Sequence, residues 1–153
     1  MNENEGIEYE KTASYLLAKV ATAYRNALEN HMARVHLHSG QVFVLMELWK
    51  KDGLRQVDIA ERLNLRPPTI NKMLTGLIDI NLVTRRSIAG DKRSTRIFLT
   101  RKGWDAQRDV AAQWLELETE YMSGLSETER LVLTDLLGRL HIAYTGRPNP
   151  DDD

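Results

Sequence analysis

Between Arg85 and Lys102, seven of eighteen residues are Lys or Arg, and they sit on two short runs around a turn reading Ala89-Gly90-Asp91-Lys92-Arg93. The runs, Val83 to Ser87 and Thr95 to Leu99, are rich in Thr, Ile, Phe and Val, residues that fit a pleated strand better than a helix. With Gly90 between them they are predicted as a β-hairpin with a charged tip. The loop is longer than two residues, so no turn type is assigned.

The segment ahead of the hairpin reads as two short helices. Arg55 to Leu63 presents Val57, Ile59, Ala60 and Leu63 on one side, with Ala60 small enough for a crossing helix to approach. Asn64, which tolerates the left-handed conformation, turns the chain. A residue before proline is pushed out of the helical region, so Arg66 and Pro67 are expected to be extended and Pro68 to take the first helical position. Ile70, Met73, Leu74, Leu77 and Ile78 then form an inward stripe, which leaves Thr69, Asn71, Lys72 and Thr75 outward. Helix, turn, helix and basic hairpin in this order describe a winged helix, a module that lies on duplex DNA.

Longer helices are predicted on both sides of this unit. One runs from about Ile7 to Val35, with Leu16, Val20, Ala23 and Ala27 at helical spacing and Leu17, Tyr24 and Leu28 beside them. The next starts near Ser39, read as its N-cap, and ends at Asp52-Gly53, where Gly53 suits a left-handed C-cap. A third runs from Thr100 to near Gly124. Ser126-Glu127-Thr128-Glu129 is a capping box that opens the last helix, which carries Leu131, Leu133, Leu136, Leu137 and Leu140 to about Tyr144. These flanking stripes are too apolar for water, and a second copy related by a two-fold axis is the expected cover. The division that follows is a single domain 1–153, a winged-helix lobe at 37–100, dimerisation helices at 7–36 and 101–145, and a disordered tail at 146–153.

Charge distribution carries more than net charge. The formal net of −1 and pI near 6.4 argue against a nucleic-acid partner. Yet residues 54–103 hold eleven Lys/Arg against four Asp/Glu, a local +7, leaving ten against eighteen, or −8, elsewhere. An acidic body with one basic face fits a protein that meets phosphate on one side. With no cysteine, disulfides and thiol switches are excluded. No basic leader or window of about 20 apolar residues is present, so no membrane association and a cytoplasmic location are expected.

Each candidate contact follows from side-chain chemistry. Thr69, Asn71, Lys72 and Thr75, with Arg66 and Pro68 at the start of the same helix, are the major-groove set, since Asn pairs with adenine and Lys reaches guanine. Backbone amides after Pro68 could hold a phosphate at the helix N-terminus. Arg93 and Lys92 at the hairpin tip suit a narrow minor groove, and Asp91 is expected to orient a wing arginine. Arg85, Arg86 and Arg96, with Arg66, Arg101 and Lys102, are assigned to phosphates.

The run Leu54-Arg55-Gln56-Val57-Asp58-Ile59-Ala60-Glu61-Arg62-Leu63-Asn64-Leu65-Arg66-Pro67-Pro68-Thr69-Ile70 resembles the helix-turn-helix of the multiple antibiotic resistance regulators, the MarR family. Asp91-x-Arg93 followed by Leu99-Thr100-x-x-Gly103 is similar to that family's wing signature, and the order of flanking helices matches across nearly the whole chain. The resemblance implies a homodimeric transcriptional regulator, usually a repressor. It would bind a pseudo-palindromic operator and release it when a small, often aromatic, molecule binds. Arg55 and Arg66 stand where the family has Ser or Thr caps, and Asn64 where it often has Gly.

Other classes are weighed on the same residues. A winged helix can serve as a protein–protein adaptor, and His36-x-His38 with His31 and His141 raises a metal-dependent regulator. Without Cys or a later His pair to complete a site, no metal and no other cofactor are expected. Trp49, Trp104, Trp114, Tyr15, Tyr24 and Tyr121 are read as core before they are read as an effector pocket. No phosphate-cradling Gly loop, metal-hydrolase helix or nucleophile elbow occurs, so catalysis is not expected.

Overall fold

A computed structural model of the chain describes residues 6–88 and 95–145; the expected hairpin tip, Asp91 to Arg93, and the 146–153 tail lie outside these residues. Helix α1 (Ala13–Ala33) follows a single 3-10 turn at Tyr9–Lys11. The sequence placed its start near Ile7; Thr12 sets it later by accepting the Tyr15 amide at 3.3 Å as N-cap. Then come α2 (Ser39–Lys50), β1 (Leu54–Arg55), α3 (Gln56–Leu63), α4 (Pro67–Asp79), β2 (Val83–Ser87), β3 (Thr95–Leu99), α5 (Arg101–Tyr121) and α6 (Glu127–Thr145). Both hairpin strands have the predicted bounds. β1 was not expected: its two residues show no period of their own and exist as a strand only because Leu54 and Arg55 pair with Ile97 and Arg96. The sheet is antiparallel in the order β1-β3-β2, with Val83 opposite Leu99 and Arg86 opposite Arg96.

Two further helix starts differ from expectation. α2 is capped from His38, not Ser39, because the Ser39 amide donates to Glu29 Oε2 of α1 at 2.9 Å while His38 Nδ1 meets Glu29 Oε1 at 2.7 Å. The His38 amide donates to Gln41 Oε1 at 2.9 Å, closing the first turn. At α4, Pro67 rather than Pro68 takes the first helical position, after Arg66 at φ −71° and ψ 147°. Both prolines lack an N–H where a helix has no acceptor for one, which outweighs the pre-proline bias on Pro67. Asn64 ends α3 at φ 50°, and Gly53 stands at φ 72°, both left-handed as expected.

The core is one cluster. Met32, Val42, Val44, Leu45, Leu48, Ile59, Ile70, Leu74, Leu77 and Leu117 are fully buried, so α2 to α4 close over one another and over the inner face of the sheet. Small residues permit the α2–α4 approach: a side chain at Gly76 would meet the Gln41 amide.

The start of α5 is bolted to the end of α4. The Thr100 hydroxyl donates to Asn81 O at 2.7 Å and accepts the Gly103 amide at 3.0 Å. The Thr100 amide donates to Leu82 O at 3.0 Å. A methyl group on Gly103 would run into that same Leu82 carbonyl. Trp49 Nε1 donates to Gly103 O at 3.0 Å and Lys102 Nζ to Ile80 O at 2.9 Å. The Leu99-Thr100-x-x-Gly103 pattern is therefore a joint between β3, α4 and α5.

Helix α6 contrasts with all of this. It opens with the expected capping box, the Ser126 amide donating to Glu129 Oε2 at 2.8 Å and the Glu129 amide to Ser126 Oγ at 3.3 Å. None of its residues is buried. Leu131 and Ile142 are 67% and 72% exposed, and Leu136, Leu137 and Leu140 are open too. In α1, Leu16, Leu17 and Val20 are equally exposed.

Candidate nucleic-acid interface

The outward face of α4 is where the sequence put it. Arg66, Pro67, Pro68, Thr69, Asn71, Lys72 and Thr75 are all exposed, with Ile70, Leu74 and Leu77 beneath them. Their hydrogen-bonding capacity is already partly assigned. The Thr75 hydroxyl donates back to Asn71 O at 2.9 Å, so toward a partner it offers its methyl group and oxygen lone pairs.

The phosphate-binding amides expected after Pro68 are not offered. Pro67 and Pro68 have no N–H, and the next two amides, Thr69 and Ile70, both donate to Arg66 O, at 3.1 and 3.2 Å. The first turn thus consumes its own donors, and any phosphate here must be met by side chains.

The sheet divides its arginines between two faces. Alternation places Arg85 on the side of Val83, facing the helices, where its Nη2 donates to Asn71 Oδ1 at 3.2 Å and to Gln56 Oε1 at 3.4 Å. Arg86 points to the other side and lies over the Phe98 ring, 4.1 Å from its centroid. Stacking of this kind holds a guanidinium at a fixed position while leaving its edge donors available. Phe98 in turn packs across Gly53, where a side chain would collide with its ring.

Arg96, grouped by the sequence with the phosphate contacts, is engaged by the fold instead. It is half-buried, its Nη1 donates to Gly53 O at 3.0 Å, and its Nε is buried with no acceptor among the described residues. It also sits near Asp58, whose carboxyl is held below its usual range chiefly by Arg55, with Arg96 a smaller contributor. Arg55 grips Asp58 through Nε at 2.9 Å and Nη2 at 2.7 Å, while the Arg55 amide donates to Asp58 at 3.3 Å. Asp58, the third residue of α3, thereby accepts the amide of the N-cap residue, the part that Glu or Gln plays in a capping box.

Two other assignments made to phosphate have partners. Arg101 pairs with Asp105 one turn along α5 at 3.3 Å, and Lys102 closes the end of α4. Asp91, Lys92 and Arg93 lie outside the described residues. Gln56 was not singled out by the sequence, since a glutamine at the start of a short helix carries no signal of a partner twenty-nine residues away.

Behind this face lies a cleft of about 650 Å³ between α1, α2 and the α3–α4 turn. Tyr24, Leu28, Phe43, Leu63, Leu65 and Met73 supply its apolar wall, and Arg25, Arg62, Glu47 and His141 its polar rim. Of the six aromatics considered from the sequence only Tyr24 reaches it. Tyr24 packs edge-to-face on Tyr121, Trp114 on Phe43, and Trp49 is committed to Gly103. Burial acts to raise the carboxyl of Glu47, but hydrogen bonds from Lys50 and Arg62 outweigh it and hold Glu47 ionised below the usual range. The histidines do not converge. His36 stands in the α1–α2 link at φ 60°, His38 is tied to Glu29, and buried His31 lies between α1 and α5 against Gln113 and Glu120. Among the described residues, no three His, Cys, Asp or Glu side chains gather around a cation-sized space.

A helix pair presenting a polar outer face beside a basic three-stranded sheet defines a winged helix-turn-helix protein. The MarR family model matches residues 37–95, the stretch that holds this unit. It is similar to the HTH-type transcriptional repressor MdtR of Bacillus subtilis, with 31% identity over 100 residues, 65% of this chain and 64% of MdtR. It also resembles the HTH-type transcriptional regulator TtmR of Methylorubrum extorquens, with 32% identity over 118 residues, 77% of this chain and 57% of TtmR. The matched stretch thus covers less than two thirds of either relative's length.

Among solved structures, the Staphylococcus aureus MepR–DNA complex superposes with a TM-score of 0.75 at 27% identity over 86% of this chain and 98% of MepR. PcaV of Streptomyces coelicolor, in complex with its natural ligand, superposes with a TM-score of 0.77 over 90% of this chain and 97% of PcaV. Its 24% identity makes that a likeness of fold.

Proposed function

We propose that the chain is a DNA-binding transcriptional regulator, a repressor, that grips a pseudo-palindromic operator as a homodimer and lets go when a small aromatic effector binds. One observation carries the reading: the exposed α4 face is polar and basic, held beside a strand whose arginines are fixed by Asn71, Gln56 and Phe98. In this reading Thr69, Asn71, Lys72 and Thr75 meet base edges, Arg86 and the tip residues Lys92 and Arg93 meet the backbone and minor groove, and Asp91 steadies the tip.

Dimerisation is supported by α6 and the first half of α1, whose exposed leucines surround the helices too widely for one intramolecular neighbour. Two-fold symmetry sets the α4 helices about 34–36 Å apart, one turn of DNA. The cleft lined by Tyr24, Phe43 and Met73 lies where the lobe meets α1, so an aromatic molecule there that prefers a different lobe position lowers DNA affinity by that preference and no more. That MdtR is a repressor and that MepR has been seen on DNA support the same direction.

The test is fluorescence anisotropy with fragments of DNA upstream of the chain's own gene, across a salt series. If six to ten phosphates are contacted, affinity falls on the order of 10³–10⁵-fold between 50 and 200 mM salt. An affinity that ignores salt would instead support a protein adaptor. Arg86→Ala should weaken operator and random duplex alike, and loss at the operator alone would contradict its backbone role.

A further inference from the structure

The α4 face is not a set of independent side chains, because the Arg85 guanidinium joins it to α3 and β2 through Asn71 and Gln56. The chemistry of that junction fixes an orientation. Arginine has N–H donors and no acceptor, so only the oxygen of a carboxamide can face it. Turning the Asn71 amide over would set its NH₂ group against the Arg85 donors, and the same holds for Gln56. Asn71 is therefore held with Oδ1 on the Arg85 side and its NH₂ group turned away from the guanidinium. An unclamped asparagine can present either end of its amide to a base; this one has a preferred end.

We infer that Arg85 is a positioning residue for base reading: it fixes the amide of Asn71 so that the NH₂ group is what DNA meets. This inference rests on the DNA-binding reading above. It selects an acceptor at one base of the contacted strand in each half-site, a purine N7, guanine O6 or thymine O4, against cytosine at that position, whose N4 group is a donor. It also sets Arg85 apart from Arg86, which faces the opposite side of the strand on Phe98. Adjacent arginines thus divide the work, one organising the reader and the other facing the backbone.

The experiment uses the full-length chain and a duplex that the wild type enriches from a random-sequence library, with every single-base-pair variant of it. Wild type, Arg85→Ala, Asn71→Ala, the double variant and Arg85→Lys are titrated by anisotropy at three salt concentrations. Wild type should discriminate about tenfold against cytosine at one position per half-site. Arg85→Ala should shrink that ratio to about twofold, with the salt slope unchanged, and should have no further effect once Asn71 is alanine. Arg85→Lys, whose ammonium keeps the donors but sits on a flexible stem without the planar guanidinium geometry, should restore part of the ratio.

The inference is overturned if Arg85→Ala weakens all sequences equally and lowers the salt slope by about one, the mark of a phosphate contact. It is equally overturned if the effects of Arg85→Ala and Asn71→Ala simply add. A wild-type chain that enriches no sequence and binds no duplex at low salt overturns the DNA-binding reading itself, and the positioning role with it.

Discussion

The lobe from α2 to β3 and the terminal helix α6 are both leucine-rich, yet they stand at opposite ends of burial. Leu45, Leu48, Leu74 and Leu77 are fully buried, whereas Leu131, Leu136, Leu137 and Leu140 are open. The side chains are the same; what differs is the presence of an opposing surface within the chain. In the lobe Gly40, Gly76 and Ala60 let helices approach and every stripe finds another. In α6 the apolar residues run around the helix with no opposing surface among the described residues, and the proposed second copy would supply one.

The largest expected effect comes from denying α6 that molecule. Leu136→Glu with Leu140→Glu places two carboxylates where a second copy is proposed to pack, at a cost of several kcal/mol to association. Sedimentation should report a halved mass with the lobe's helical signal retained; a mass unchanged from wild type would mean these leucines serve some other partner.

Where α5 joins the lobe, the sensitive point is a single hydrogen atom. Gly103→Ala should cost about 2–3 kcal/mol, read as a lower urea midpoint at unchanged slope, because the Leu82 carbonyl it meets is backbone held by Thr100 and cannot step aside. A midpoint within error of wild type would show the joint to be looser than its geometry.

A smaller loss, about 1 kcal/mol, is expected for Glu29→Gln at neutral pH, since the carboxylate takes the Ser39 amide and His38 at the start of α2. The Ser39 amide first, then His38, depress the Glu29 carboxyl below its usual range. A depressed carboxyl adds stability that is complete above the unfolded value, near 4.3, and is lost as pH falls through the folded value. Wild type and Glu29→Gln should therefore converge in urea midpoint as the buffer is taken below about pH 4, and parallel curves throughout would remove the ionic part of this cap.

The smallest effect has the opposite sign. Gly138→Ala, in α6 with nothing within 4 Å, should be neutral or gain up to about 1 kcal/mol of helix stability. A loss comparable to that of Gly103→Ala would instead locate the close approach of a second copy at that spot.

How much of this was legible depended on the range over which each residue is decided. β2 and β3, the outward set on α4, the Asn64 turn and the Ser126 capping box are local: residue type and spacing contain the cause. The β1 strand was hidden because Leu54 and Arg55 acquire it from Ile97 and Arg96, more than forty residues on. His38 replaced Ser39 as cap because Glu29, on another helix, took the serine amide. Arg96 looked like one more surface cation until Gly53 O was placed beside it, and Arg85 looked like another until Asn71 and Gln56 were. In the candidate interface, sequence supplied the cast of charges; only the fold said which were already in use.

The joint at Leu82 makes α5 a lever. That helix of 21 residues, roughly 30 Å long, is fastened at its first turn to the last turn of α4 by Thr100, Lys102 and Gly103. A tilt at its far end, where Tyr121 meets Tyr24, is resisted at the near end by these hydrogen bonds and by the close approach of Gly103 to Leu82 O. Displacing α5 therefore strains the bonds to Ile80, Asn81 and Leu82 unless the lobe follows it.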